Sequence, residues 1–377
     1  MHRVREMTQL TSLVVGCYSI DSWPDFINSM PFLDAAWSHS PRLQNLALHL
    51  PVECLGNVLA SIPHFPVLEE LELSIWSDPE KPADPLVYTT TPTMVTTFIN
   101  RHSASLTRLT IDIRNLDPSS LFMNIQQLPK LIKLSTEQSL GHLDSSEGGH
   151  ITNFLSEHRT NLQELKLQFY EPPICTKPTP TSFFSSSVFQ VEFPSVTSLN
   201  LGICYWDKKS ESSLSRSLAQ YLFHFRDTLS KLTIRGCILS LPIIEAFASA
   251  FGEDSVLREL KMDVHYLSSD LLDVLAHKLP QLRSLDLTYS WLQYKDDARW
   301  DADLANLTGS VSYLFGSWVT SLMQFSGSLR NFSQKFEGMI ILCGHYDTCK
   351  CFRENCMLAN VEMSGKLWLL VCQMSRP

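Results

Sequence analysis

The stretch Leu229-Ser230-Lys231-Leu232-Thr233-Ile234-Arg235-Gly236-Cys237-Ile238-Leu239 decides how this chain folds. Leu232 and Ile234 are two residues apart, so an extended backbone points both to one side and sends Lys231, Thr233 and Arg235 to the other. Leu229 opens the pattern three residues earlier. A single Leu-x-x-Leu-x-Leu hexad means little, because leucine is common. Here the hexad recurs, with Val, Ile or Met as substitutes. It stands at Leu10-Leu13-Val15, Leu43-Leu46-Leu48, Leu68-Leu71-Leu73, Leu106-Leu109-Ile111 and Leu162-Leu165-Leu167. It continues at Val196-Leu199-Leu201, Leu229-Leu232-Ile234, Leu257-Leu260-Met262 and Leu282-Leu285-Leu287, and a tenth copy, Leu131-Leu134-Thr136, is degraded at its last position. The starting points lie 25 to 38 residues apart. That is the period of a solenoid, in which each unit is too small to bury its own apolar face and must stack on its neighbours.

The flanks of the hexads repeat too. Pro41, Pro66, Pro129, Pro194 and Pro280 each stand two residues before a first apolar position. Proline ends the preceding segment and lets the chain enter a strand. Cys204 and Cys237 stand eight residues after their starts. Between hexads, several segments read as helices. Ser269–Leu279 has a serine cap and apolar residues at 271, 275 and 279, Pro242–Phe251 carries proline in its first turn, and Leu214–Phe225 is a third candidate. The expected fold is an α/β leucine-rich repeat solenoid, a horseshoe with a parallel concave sheet and helices on the convex side. Residues 1–300 form the repeat domain.

Composition narrows the function. Of 377 residues, 44% are hydrophobic and 18% charged, which excludes a disordered or collagen-like chain. Acids outnumber bases 39 to 30, a poor balance for binding nucleic acid or an anionic membrane, and neither is expected as a partner. The start, Met1-His2-Arg3-Val4-Arg5-Glu6, runs straight into patterned sequence without a signal-peptide core, and no window is apolar enough to span a bilayer. Ten cysteines are too few for a disulfide scaffold. The expected compartment is cytoplasm or nucleus, where the sequons at Asn306 and Asn331 stay unused. The first strand should begin near Thr11, leaving little chain ahead of it to cover the end of a solenoid.

Three regions break the pattern. Asp78–Thr93 and Glu171–Ser187 are rich in proline and are expected to be irregular, exposed insertions. Residues 301–377 hold six of the 14 glycines and five of the ten cysteines but one of the 20 prolines, and no good hexad follows Leu287. They read as a diverged or poorly ordered C-terminal extension.

No phosphate loop, nucleophile elbow, H-E-x-x-H or dinucleotide fingerprint is present, so neither catalytic residues nor a cofactor are expected and the chain does not read as an enzyme. Cys343, His345, Cys349, Cys351 and Cys356 lack the paired hooks of a zinc site and are read as chance clustering. The outward positions of the hexads are the candidate site. They present Glu70, Glu72, Arg108, Asp112, Lys133, Glu164 and Lys166, then Lys231, Arg235, Glu259, Lys261, Asp263 and Asp286. A face of mixed sign does not suit the tracking of phosphates but suits discrimination among protein partners.

The P-x-L-x-x-L-x-L repeats over about residues 8–292 resemble the repeat region of F-box/leucine-rich-repeat proteins, especially those of fungi. The resemblance implies a ribonuclease-inhibitor-type horseshoe that recruits a substrate protein to a ubiquitin ligase, with a separate F-box making the attachment to Skp1 and cullin. Leu50-Pro51-Val52-Glu53-Cys54 resembles an F-box opening, but it lies where a repeat needs its own helix and too few residues follow before Pro66. Attachment to the Skp1–cullin machinery is therefore expected only if an F-box is supplied elsewhere. The chain is expected to be a non-enzymatic scaffold that binds another protein on its concave face. The alternatives are an inhibitor-like horseshoe that caps a partner enzyme and an enzyme built on the insertions and tail.

Overall fold

The computed structural model describes residues 9–17, 23–77, 85–113, 119–139, 148–170, 179–203, 210–252, 254–292, 340–344 and 369–372. The chain divides into two compact units, Met1–Cys204 and Tyr205–Pro377. In the first, the strands are β1 (Ser12–Gly16), β2 (Asn45–Pro51), β3 (Glu70–Trp76), β4 (Arg108–Ile113), β5 (Lys133–Ser139), β6 (Glu164–Tyr170) and β7 (Ser198–Gly202). Between them lie α1 (Trp23–Ser38), α2 (Val52–Ser61), α3 (Pro85–Arg101), α4 (Ser119–Asn124), α5 (Gly148–His158) and α6 (Pro180–Ser185). The strands run parallel in chain order. Register places Leu46, Leu71, Leu109, Leu134, Leu165 and Leu199 in one row, each no more than 1% exposed. The hexad is thus a code for register, since a slip of one residue would turn the leucines to water. β1 follows it less completely, with Leu13 only half-buried although Val15 is buried.

The second unit holds α7 (Glu211–Phe223), β8 (Lys231–Leu239), α8 (Leu241–Phe251), β9 (Glu259–Leu267), α9 (Ser269–Lys278), β10 (Ser284–Leu292), β11 (Ile340–Gly344) and β12 (Leu369–Cys372). Its strands are again parallel and sequential, with Leu232, Leu260 and Leu285 in one buried row. The three expected helices are α7, α8 and α9. The cap of α9 is Ser268, whose hydroxyl accepts the Leu271 N–H, and α8 has proline in its first turn. Each unit is therefore the expected α/β leucine-rich repeat, with strands on one side and returning helices on the other.

One backbone device recurs at the strand entries. The carbonyl just after the first hexad residue accepts two N–H groups from the next repeat. Gln44 O takes Glu69 and Glu70, Glu69 O takes Thr107 and Arg108, Thr107 O takes Ile132 and Lys133, and in the second unit Ser230 O takes Arg258 and Glu259. The side chain at this position is irrelevant to the bond, which is why it varies freely from Gln to Thr to Ser.

The proline-rich segments differ from expectation. From Pro85 onward the first is helix α3, with Pro92 inside it and the buried Thr91 and Thr96 hydroxyls donating to Val87 O and Pro92 O. The second ends in α6 and a 3-10 turn, Ser187–Gln190. Thr179 caps α6 by accepting the Ser182 N–H, and Pro180 occupies its first turn. Phe183 lies 5.1 Å from Phe169 and 4.7 Å from Phe189, all three buried. These prolines start helices that supply core, and burial of the aromatic side chains outweighs the breaker signal of the composition. Residues 78–84 and 171–178 lie outside the described residues. The F-box-like opening forms α2, whose Val52, Cys54, Leu55, Val58 and Leu59 are buried as the helix of its repeat.

Two histidines close the repeats of the first unit. His102 follows α3 and His158 ends α5, each 1% exposed and each four residues before a first hexad leucine. Nε2 of His102 accepts the Phe65 N–H at 3.1 Å, so the proton sits on Nδ1 and is donated to Phe98 O at 2.9 Å. His158 does the same with Leu128 N–H, 2.9 Å, and Phe154 O, 2.7 Å. Phe65 and Leu128 immediately precede Pro66 and Pro129. From Pro66 to Pro194, repeats that close with proline thus alternate with repeats that close with histidine, and each histidine ties its helix end to the loop of the preceding repeat. Burial pushes His102 down from 6.5 to about 4, against the Phe98 carbonyl, which favours the proton, and with help from His64 and Arg101. His158 is also lowered by burial, against Phe154 O and Glu157.

The degraded hexad carries a local cost. Thr136 lies in register between Ile111 and Leu167, is 2% exposed, and its hydroxyl has no hydrogen-bond partner. Valine has the same shape without the polar atom, so Thr136→Val should raise unfolding stability by about 1 kcal/mol in urea titration. A neutral or destabilising result would show that the hydroxyl is satisfied.

β11 and β12 continue the register of β10, pairing Leu285 with Ile340 with Leu369 and Leu287 with Leu342 with Val371. They lack the full hexad because charged Glu337 and Lys366 stand where the first apolar residue would be. His345, Cys349, Cys351, Cys356 and both sequons lie outside the described residues.

Candidate protein-recognition face

With the even-spaced leucines turned inward, the alternate residues form rows on the opposite face. In the first unit one row reads Asn45, Glu70, Arg108, Lys133, Glu164, Ser198. The next two read Ala47, Glu72, Thr110, Ser135, Lys166, Asn200 and His49, Ser74, Asp112, Glu137, Gln168, Gly202. The second unit has Lys231, Glu259, Ser284 and then Thr233, Lys261, Asp286.

Register brings many of the candidate residues onto one another. Arg108 Nε lies 3.4 Å from Glu70, Lys133 Nζ 3.3 Å from Glu164, Lys231 Nζ 2.9 Å from Glu259 and Lys261 Nζ 3.1 Å from Asp286. All four pairs join residues directly opposite on adjacent strands, the geometry in which cross-strand charges interact. Their side chains are roughly one-quarter to one-half exposed, so each pair contributes less than about 1 kcal/mol. Their main effect is to neutralise most of the face. Glu72 lies 3.8 Å from His49, and Asp112 accepts from the Ser74 hydroxyl at 3.4 Å. Lys166, Arg235 and Asp263 make no hydrogen bond or ion pair with the described residues. The sequence shows which residues point outward. It does not show which are spent on each other, because the partners are 25 to 38 residues apart.

No set of three or more His, Cys, Asp or Glu among the described residues could hold a metal ion. No helix among them is long and apolar enough to cross a membrane.

No protein-family model matches the chain, and no curated protein matches it. Among solved structures, it aligns with one described as the Rad7 and Elc1 complex in yeast. The alignment covers 92% of this chain and 82% of that one, at 14% identity and a TM-score of 0.43. The assignment to the leucine-rich repeat class stands on the hexads, the parallel register and the alternating burial.

Proposed function

We propose that the chain is a non-enzymatic scaffold of the cytoplasm or nucleus that binds another protein through the outward rows of its strands. The carrying observation is the state of those rows. They are polar and partly exposed on rigid strands, neutralised by four ion pairs among the described residues, and punctuated by Lys166, Arg235 and Asp263, which have no partner among those residues. Charges held on a rigid frame without partners recognise by complementarity at little entropic cost. The resemblance to F-box/leucine-rich-repeat proteins supports substrate recruitment to a ubiquitin ligase, provided that an F-box is supplied elsewhere.

Affinity purification of the full chain with mass spectrometry tests this. A stoichiometric protein partner should copurify and be lost when Lys166→Glu, Arg235→Glu and Asp263→Lys are combined in a chain that still melts cooperatively. Skp1 and cullin in the eluate support ligase recruitment, whereas a stable complex with one enzyme supports an inhibitor. A partner indifferent to the triple reversal would place binding elsewhere.

A further inference from the structure

The register of β8 and β9 is broken at one place. Ile234 lies opposite Met262 and Leu239 opposite Val264, so Arg235, Gly236, Cys237 and Ile238 span the interval that Asp263 spans alone. Gly236 has φ +83°, a conformation that glycine adopts without strain. Bulges re-aim side chains and recur beside functional sites. This one turns Cys237 inward and leaves both Arg235 and Ile238 exposed.

Charge singles out the same place. Of the cations on the described sheet face of this unit, Lys231 and Lys261 are neutralised by Glu259 and Asp286. Arg235 is exposed and has no partner among the described residues. A guanidinium fork matches a carboxylate in two parallel hydrogen bonds. Ile238, three residues on in the same bulge and 42% exposed, provides apolar area, and arginine is among the residues enriched in binding hot spots. Asp263, opposite the bulge, disfavours a densely anionic ligand and leaves room for a single negative group.

We propose that the bulge Arg235–Ile238 is a docking point for a segment of a partner protein that carries a carboxylate next to an aliphatic or aromatic side chain. This rests on the reading of the outward rows as a protein-binding face and names the chemistry of one point on it. The test is selection of a random peptide display library on the immobilised full chain. Enriched peptides should carry Asp or Glu close to Leu, Ile, Phe, Tyr or Trp. A synthetic peptide of that consensus should bind, and Arg235→Glu and Ile238→Asp should each weaken it about tenfold or more. Arg235→Lys should lose less, and Arg216→Glu, exposed on α7 and off the strand face, should change nothing. Thermal melting confirms that each variant is folded, and the conservative Arg235→Gln replaces any that is not. Peptides without an acidic residue, binding indifferent to Arg235, or no enrichment would each overturn the docking point. Enriched peptides that respond to Lys166→Glu instead would overturn it while leaving the wider face intact, and the copurification experiment judges that face separately.

Discussion

Leu109→Ala should lower the unfolding stability of the first unit by roughly 2 to 5 kcal/mol. Leu109 is fully buried, in register between Leu71 and Leu134. Truncation removes its contacts and leaves a cavity. The leucines on both sides are fixed by ladder hydrogen bonds and cannot move in to fill it. In a stack where each repeat touches only its neighbours, a weakened repeat also uncouples those beyond it, which makes the loss felt by the whole unit. Val14→Ala is the control. Val14 is 61% exposed on the outward side of β1, and its truncation should change stability by less than about 0.5 kcal/mol. Urea titration followed by circular dichroism measures both. Equal, small effects would refute the buried row on which the fold rests.

Acidification should destabilise the first unit through His102. Its ring is neutral in the folded state, because Nε2 must accept the Phe65 N–H, and its folded value of about 4 lies below the ordinary 6.5. Between those values the unfolded chain binds a proton that the folded chain does not, so stability falls as pH falls through that window. It is fully present above about pH 6.5 and levels off below about pH 4, a loss of roughly 3 kcal/mol from this residue. Protonation would place a positive charge beside Arg101 and against the His64 ring, which stacks on His102 at 5.2 Å. His158 should add a loss of the same sign as it is lowered by the same burial. Phe225 stands at the corresponding place four residues before Leu229, so His102→Phe is a conservative replacement. The variant should start less stable at pH 7.5, with the Phe65 N–H unpaired, and show a slope between pH 6.5 and 4 reduced by up to one proton. An unchanged slope would mean that His102 titrates alike in both states.

The legible part of this fold is what chain geometry makes local. Alternation of side chains along a strand has a period of two, so Leu71 and Leu73 announce which way they face before any neighbour is known. The histidine closures were equally local, as Phe98-x-x-x-His102-x-x-x-Leu106 and Phe154-x-x-x-His158-x-x-x-Leu162 repeat one spacing. They escape a search for apolar residues because a buried histidine looks polar until its two hydrogen bonds are seen. The proline-rich segments mislead for the opposite reason. Pro85 and Pro180 mark loops by composition, yet each stands where a helix begins and lacks no hydrogen bond there.

By itself the sequence determined the inward leucines, the parallel repeats and the polar outward rows, since each follows from spacing within a few residues. Only the tertiary structure decided that Glu70 meets Arg108, that Lys231 meets Glu259, and that Arg235 stands on a bulge with no partner among the described residues. Those outcomes depend on which residues of separate repeats come level across the sheet, and cross-strand register is a property of the stack, not of any one strand.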